Sequence, residues 1–163
     1  MDNSIARLES VSDPELVQIF KNCVRAVAKR SKFAAQAREK IPHIVAELQR
    51  RKALVEAGHA FVETPERGML STIGYRVGNS GEREESRRDL LDYVMEGELP
   101  LVASFAYTSQ WGAPRSQARL WKLVRTLEGL AAGADGRHNM GLACTHWLED
   151  RDYVLRKWSG SVT

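Results

Sequence analysis

Cysteine, aromatic side chains and long apolar runs are all scarce in this chain. The only two cysteines, Cys23 and Cys144, lie far apart among 163 residues. That excludes a disulfide-dense scaffold and reads as cytosolic thiols packed as small apolar groups. Trp, Tyr and Phe number four each. The longest nearly apolar stretch, Leu99 to Tyr107, is broken by Pro100 and Ser104. It falls well short of the roughly 20 residues that a membrane-spanning helix needs. Met1-Asp2-Asn3-Ser4 meets an acid at once, unlike a secretory leader. A cytoplasmic protein with no membrane partner is the expectation.

Chemical signatures are equally sparse. Cys144-Thr145-His146 is the only close Cys/His pair, and no C-x-x-C or H-x-x-x-H accompanies it. Residues two apart on a helix do not face each other, so no metal site and no cofactor are expected. No acid/base set converges along the chain, which sets a small hydrolase or nuclease-like toxin behind non-enzymatic readings. Glu149-Asp150 and Asp152 are read as solvated surface. Internal repeats, heptads and low-complexity tracts are absent.

What is present is an ordinary globular composition, 43% hydrophobic and 28% charged, with an uneven distribution of charge. Residues 21 to 52 hold ten Lys/Arg against two acids, a net +8. The chain as a whole is +3, so the remainder is −5. A basic block of this kind points to a polyanion or an acidic protein surface.

Apolar spacing predicts an all-α fold: a basic helical hairpin over residues 1–60 and a four-helix body over 61–163. Ser12-Asp13-Pro14-Glu15 opens the first helix as a capping box with Pro in the first turn. Leu16, Ile19, Phe20, Cys23, Val24 and Val27 form its apolar stripe. A second helix from about Lys32 to Ala57 should break or kink near Lys40, ahead of Pro42. Thr64-Pro65-Glu66 suits the start of a short third helix carrying Met69, Leu70 and Ile73, ended by Gly74. A fourth covers Glu82 to Glu96. The fifth runs to about Ala132 on Leu120, Leu123, Val124, Leu127 and Leu130. The sixth, Asn139 to Lys157, buries Met140, Ala143, Trp147, Val154 and Trp158. Leu101–Tyr107 is the one segment suited to a short strand. All four tryptophans, Trp121 included, are expected in the core.

Three groups of cations are candidate contacts for nucleic acid or an acidic partner. Lys21, Arg25 and Lys29 recur every four residues on one stripe of the hairpin, with Arg50 and Arg51 on the facing helix. Arg76, Arg83 and Arg87 surround the loop Gly78-Asn79-Ser80-Gly81, whose backbone N–H groups would suit a phosphate. That loop matches neither a nucleotide-binding fingerprint nor the short turn of a helix-turn-helix, and simple punctuation between helices is its plain reading. Tyr75 beside Arg76 is the one aromatic–basic pair suited to stacking on a base. Arg115, Arg119 and Lys122 suit a groove or phosphate contact better than the acid-rich fourth helix does. The expectation is a non-enzymatic nucleic-acid-binding or regulatory protein. The alternative is an adaptor or inhibitor that docks on an acidic protein.

Overall fold

The computed structural model describes residues 8–56, 68–102 and 104–163. The chain is all-helical, with seven helices and no strand among the described residues. It divides into two compact units. The first comprises residues up to Gly74 together with Glu98–Thr108, and the second comprises Tyr75–Gly97 together with Ser109–Thr163.

In the first unit, α1 spans Asp13–Ala28 and α2 spans Ala34–Glu56. The start of α1 follows the capping logic: the Ser12 backbone N–H donates to the Glu15 carboxylate at 3.1 Å. Leu16, Val17, Phe20, Cys23 and Val24 are buried on α1, and Ala34, Ala37, Ile41, Ile44, Val45 and Leu48 on α2. Both stripes follow the three- and four-residue steps of an amphipathic helix. The expected break before Pro42 does not occur, because α2 passes through it without interruption. Pro42 is exposed, while buried residues on either side of it pack in the hairpin. That packing outweighs the roughly 3 kcal/mol that an interior proline costs.

Arg51, a candidate contact residue by sequence, does not face solvent. It is buried, donating from Nε to Glu47 at 2.7 Å, from Nη1 to Asp13 and from Nη2 to the Leu8 carbonyl at 2.8 Å. The side chain ties the start of α1 to the far end of α2.

The short helix α3, Met69–Ile73, buries Met69, Leu70 and Ile73 and is ended by Gly74 in a left-handed conformation. The cap expected at Thr64-Pro65-Glu66 lies outside the described residues. Around Leu101–Tyr107 the expected strand is replaced by a tight loop and a short helix, α5, Phe105–Ser109. Thr108 Oγ1 accepts from the Val102 N–H and donates to the Val102 carbonyl, each at 3.0 Å. These local bonds take the backbone groups that a strand would need for pairing.

The second unit is built on α4, Glu84–Glu96, α6, Gln117–Ala134, and α7, Gly141–Trp158. Ser116 caps α6, accepting the Arg119 N–H at 3.1 Å. Leu90, Leu91, Val94 and Met95 of α4 pack with Leu120, Leu123, Val124 and Leu127 of α6 and with Ala143, Trp147, Val154 and Trp158 of α7. Trp111 is also fully buried. Three residues depart from expectation. Met140 is half-buried at the N-cap of α7, while Leu130 and Trp121 stand exposed on α6. Trp121 sits off the stripe that buries Leu123 and Leu127, whereas Leu130, three residues past Leu127 and seven past Leu123, lies at its edge and is 38% exposed. Among the described residues no helix is long and apolar enough to cross a membrane.

Candidate functional site

The cations of the hairpin separate into distinct environments. Arg25 and Lys29 are exposed, whereas Lys21 is half-buried with its aliphatic stem against Gly74. Arg50 is exposed and held by Glu47 through two hydrogen bonds at 2.8 and 2.7 Å. Arg51 is internal, as described above. The turn between the two helices carries what the sequence reading missed. Arg30 sits there in a left-handed conformation, and Lys32 and Phe33 follow it. Phe33 is 57% exposed, with the Lys32 ammonium 5.1 Å from its ring centroid. Phe33 stands four residues before buried Ala37, as a core residue of α2 would, but it lies in the turn just ahead of the helix start at Ala34 and so escapes the packed face. From residue 25 to residue 40 the charged side chains are six exposed cations (Arg25, Lys29, Arg30, Lys32, Arg38, Lys40) and one exposed acid, Glu39.

The Gly-rich loop is ordered by bonds of its own. The Gly78 N–H donates to His146 Nδ1 at 3.2 Å, Gly81 N–H to the Gly78 carbonyl at 3.1 Å, and Glu82 N–H to the Arg76 carbonyl at 3.1 Å. A Cβ at Gly81 would lie 2.6 Å from the Val77 carbonyl carbon, so the loop closes too tightly for a side chain there. These three amides are therefore committed internally and are not offered to a phosphate. Arg76 and Arg83 are exposed at the rim, and Arg83 is the N-cap residue of α4.

Arg87 is not at that rim. It is buried, and its Nε donates to Asp150 Oδ2 at 2.7 Å and its Nη1 to the Glu82 carbonyl at 3.3 Å. Asp150 is fully buried, contrary to the expectation of solvated surface, because it also accepts the Tyr75 hydroxyl at 2.7 Å. Tyr75 is thus an anchor of this network and offers no face for stacking on a base. Burial pushes the Tyr75 phenol well above its ordinary value, and the Asp150 charge raises it further.

The cations around α6 are similarly divided. Arg115 is exposed, pairs with Glu96 and lies 5.6 Å over the Trp158 ring. Lys122 is half-buried and donates to Gln110 at 2.6 Å. Arg119 is buried and bonded wholly to backbone, donating to the carbonyls of Val94, Gly97, Trp111 and Gly112. Desolvation pushes its guanidinium down to about 10, so it stays charged at neutral pH. Cys23 is buried and Cys144 half-buried, and no cluster of three metal-ligating side chains occurs among the described residues.

No protein-family model, no curated protein and no solved structure matches this chain.

The phenol of Tyr75 provides a direct check on the buried network. Its folded-state value lies above that of the unfolded chain, which releases the proton first near pH 10 as pH rises. The associated stability is full below about pH 10 and declines above it. Ultraviolet titration should show late-ionising phenols, Tyr75 among them, since burial also raises Tyr153. Tyr75→Phe should reduce the late phase by one phenol. Superimposable titrations of the two proteins would contradict the burial of Tyr75.

Proposed function

We propose that the chain is a non-enzymatic, cytoplasmic nucleic-acid-binding or regulatory protein that holds a phosphate backbone at the α1–α2 turn. The observation that carries the reading is the exposed turn itself, where Phe33 stands beside Arg30 and Lys32. Arg25, Lys29, Arg38 and Lys40 extend the positive surface along both helices, against a single acid in the same stretch. Cations neutralise phosphates and release counterions, while an exposed aromatic ring offers a stacking platform to a base. The alternative is an adaptor that docks the same turn on an acidic protein, which would make no use of a stacking ring.

Reversal of charge at the turn tests the proposal. Lys29→Glu, Arg30→Glu and Lys32→Glu together should weaken binding to labelled single- and double-stranded oligonucleotides for all sequences alike. The salt dependence should flatten by about 0.7–0.9 log units per phosphate contact removed. Phe33→Ala should reduce single-strand affinity by about 1–3 kcal/mol with the salt slope unchanged. Absence of any salt-dependent oligonucleotide binding by the wild-type chain would overturn the reading. Loss of a protein partner from nuclease-treated lysate in the triple variant would then favour the adaptor.

A further inference from the structure

We propose that the α1–α2 turn selects unpaired strands over duplex, stacking a base on Phe33 and holding the adjoining phosphates with Lys29, Arg30 and Lys32. The inference rests on the nucleic-acid reading of that turn and names the class of strand it takes.

The turn is a Schellman-type helix end with an unusual residue at its key position. The Arg30 N–H donates to the Val27 carbonyl at 3.1 Å and the Ser31 N–H to the Ala26 carbonyl at 3.0 Å. That pattern puts Arg30 at the left-handed position, with φ 49°, where glycine is the usual residue. A side chain there costs stability that glycine would not. Arg30 is exposed, and among the described residues its guanidinium has no hydrogen bond or ion pair to offset that cost. The fold gains nothing from a cation at this position, which points to an external contact.

Charge alone would favour duplex, which carries more phosphates per unit length than a single strand. Two features favour the single strand. Phe33 is 57% exposed even with the Lys32 ammonium 5.1 Å from its ring centroid. Inside a duplex each base has neighbours on both faces, so a protruding ring finds a partner only where bases are unstacked. The positive surface is also confined to the tip. On the outward face of α1, Gln18 and Asn22 precede Arg25 and Lys29 and bond each other at 3.0 Å. On α2 the next Lys or Arg after Lys40 are Arg50, held by Glu47, and the internal Arg51. From Arg25 to Lys29 and from Ala34 to Lys40 the cationic stretches run about 6 and 9 Å along their helices. A duplex-reading helix lays base and phosphate contacts along a groove. Here the cations end within about two helical turns of the tip.

The test sets the full chain against a labelled oligonucleotide of about 12 residues, its blunt duplex, and that duplex with an overhang of about four nucleotides. The strand and the overhang should bind at least about 5-fold more tightly than the blunt duplex. With six exposed cations from residue 25 to residue 40, the single-strand salt slope should be no steeper than about −4. Phe33→Ala should cut single-strand affinity about 5- to 150-fold and leave duplex affinity unchanged, which erases the preference. Phe33→Trp should restore it and Phe33→Leu should not, because stacking needs a π-face. Arg30→Gly should melt higher than the wild type yet bind strand and duplex more weakly, with a single-strand slope flatter by about 0.7. DNA and RNA forms should bind within about 10-fold of each other, since phosphates and base faces are common to both.

Salt-dependent binding without preference for the single strand would overturn the selection and leave the phosphate contact standing. So would a Phe33→Ala variant that weakens strand and duplex equally. No salt-dependent binding to any oligonucleotide would remove the nucleic-acid reading itself, and the inference with it. An Arg30→Gly variant that melts lower than the wild type would show that Arg30 serves the fold instead. A wider gap between RNA and DNA would place a contact on the 2′-hydroxyl and overturn stacking and phosphate pairing as the whole of the contact.

Discussion

Asp150→Ala is expected to destabilise the fold by about 3–5 kcal/mol, the range for breaking a buried ion pair from one side. Asp150 is fully buried and holds three donors: Arg87 Nε at 2.7 Å, Arg87 Nη2 at 3.3 Å and the Tyr75 hydroxyl at 2.7 Å. Its removal leaves a buried guanidinium charge without its principal partner. Glu149, at 3.8 Å from Arg87, is half-exposed and replaces little of that interaction. The phenol of Tyr75 loses its acceptor in the same step. Because the cost comes from the orphaned charge, removing both charges should cost less. Asp150→Leu combined with Arg87→Met is expected to be more stable than either single variant. Denaturant unfolding of the four proteins gives the coupling directly. Additive effects, or Asp150→Ala within about 1 kcal/mol of wild type, would show that the network contributes little. Arg87 also bonds the Glu82 carbonyl, so faster amide exchange at Gly81 and Glu82 should accompany the loss.

The parts of the fold legible in the sequence were those encoded by apolar spacing. Leu16 to Val24 and Leu90 to Met95 repeat at helical steps, and Ser12 and Gly74 mark helix ends as capping rules require. The buried charges were not legible as such, since a charged side chain is assigned to the surface by type. Their partners are distant: Asp150 is 63 residues from Arg87, and Asp13 is 38 from Arg51. A usable signal was nevertheless present. Arg51 follows Leu48 by three residues, Arg87 precedes Leu91 by four, Arg119 precedes Leu123 by four, and Asp150 lies between Trp147 and Val154 on one face. Each occupies a core position of its helix. Trp121 shows the reverse error, because an aromatic residue off the stripe was assigned inward by type. Spacing was the better guide in both directions. For the candidate site this matters directly: three of the cations first considered for binding, Arg51, Arg87 and Arg119, are internal braces, and exposed Phe33, Arg30 and Lys32 take their place.

Arg119 is the brace whose loss should be least repairable. Its Nε donates to the Trp111 carbonyl at 3.3 Å, Nη1 to those of Val94 and Gly97 at 3.2 and 2.6 Å, and Nη2 to that of Gly112 at 2.7 Å. These carbonyls belong to the end of α4 and to the loop that enters α6, so one planar fork fixes both segments. The end of a helix leaves carbonyls without intrahelical donors, and here a side chain from another helix supplies them. Arg119→Met keeps much of the apolar volume and removes every donor. Each buried carbonyl left without a partner costs about 1–3 kcal/mol, and water will recover some of them, so a net loss of about 3–4 kcal/mol is expected. Arg119→Lys discriminates between charge and geometry. A lysine retains the positive charge but offers donors from a single nitrogen, which cannot span carbonyls on opposite sides of the guanidinium plane. It should therefore recover less than half of the lost stability. Near-UV circular dichroism should report the same change through the buried Trp111, whose carbonyl is one of the four acceptors. If Arg119→Lys restored wild-type stability, the positive charge alone would account for the brace. If Arg119→Met were neutral, the four bonds would contribute no net stability, and the segments around Gly97 and Gly112 would be held by the packing of Val94, Trp111 and Leu120 instead.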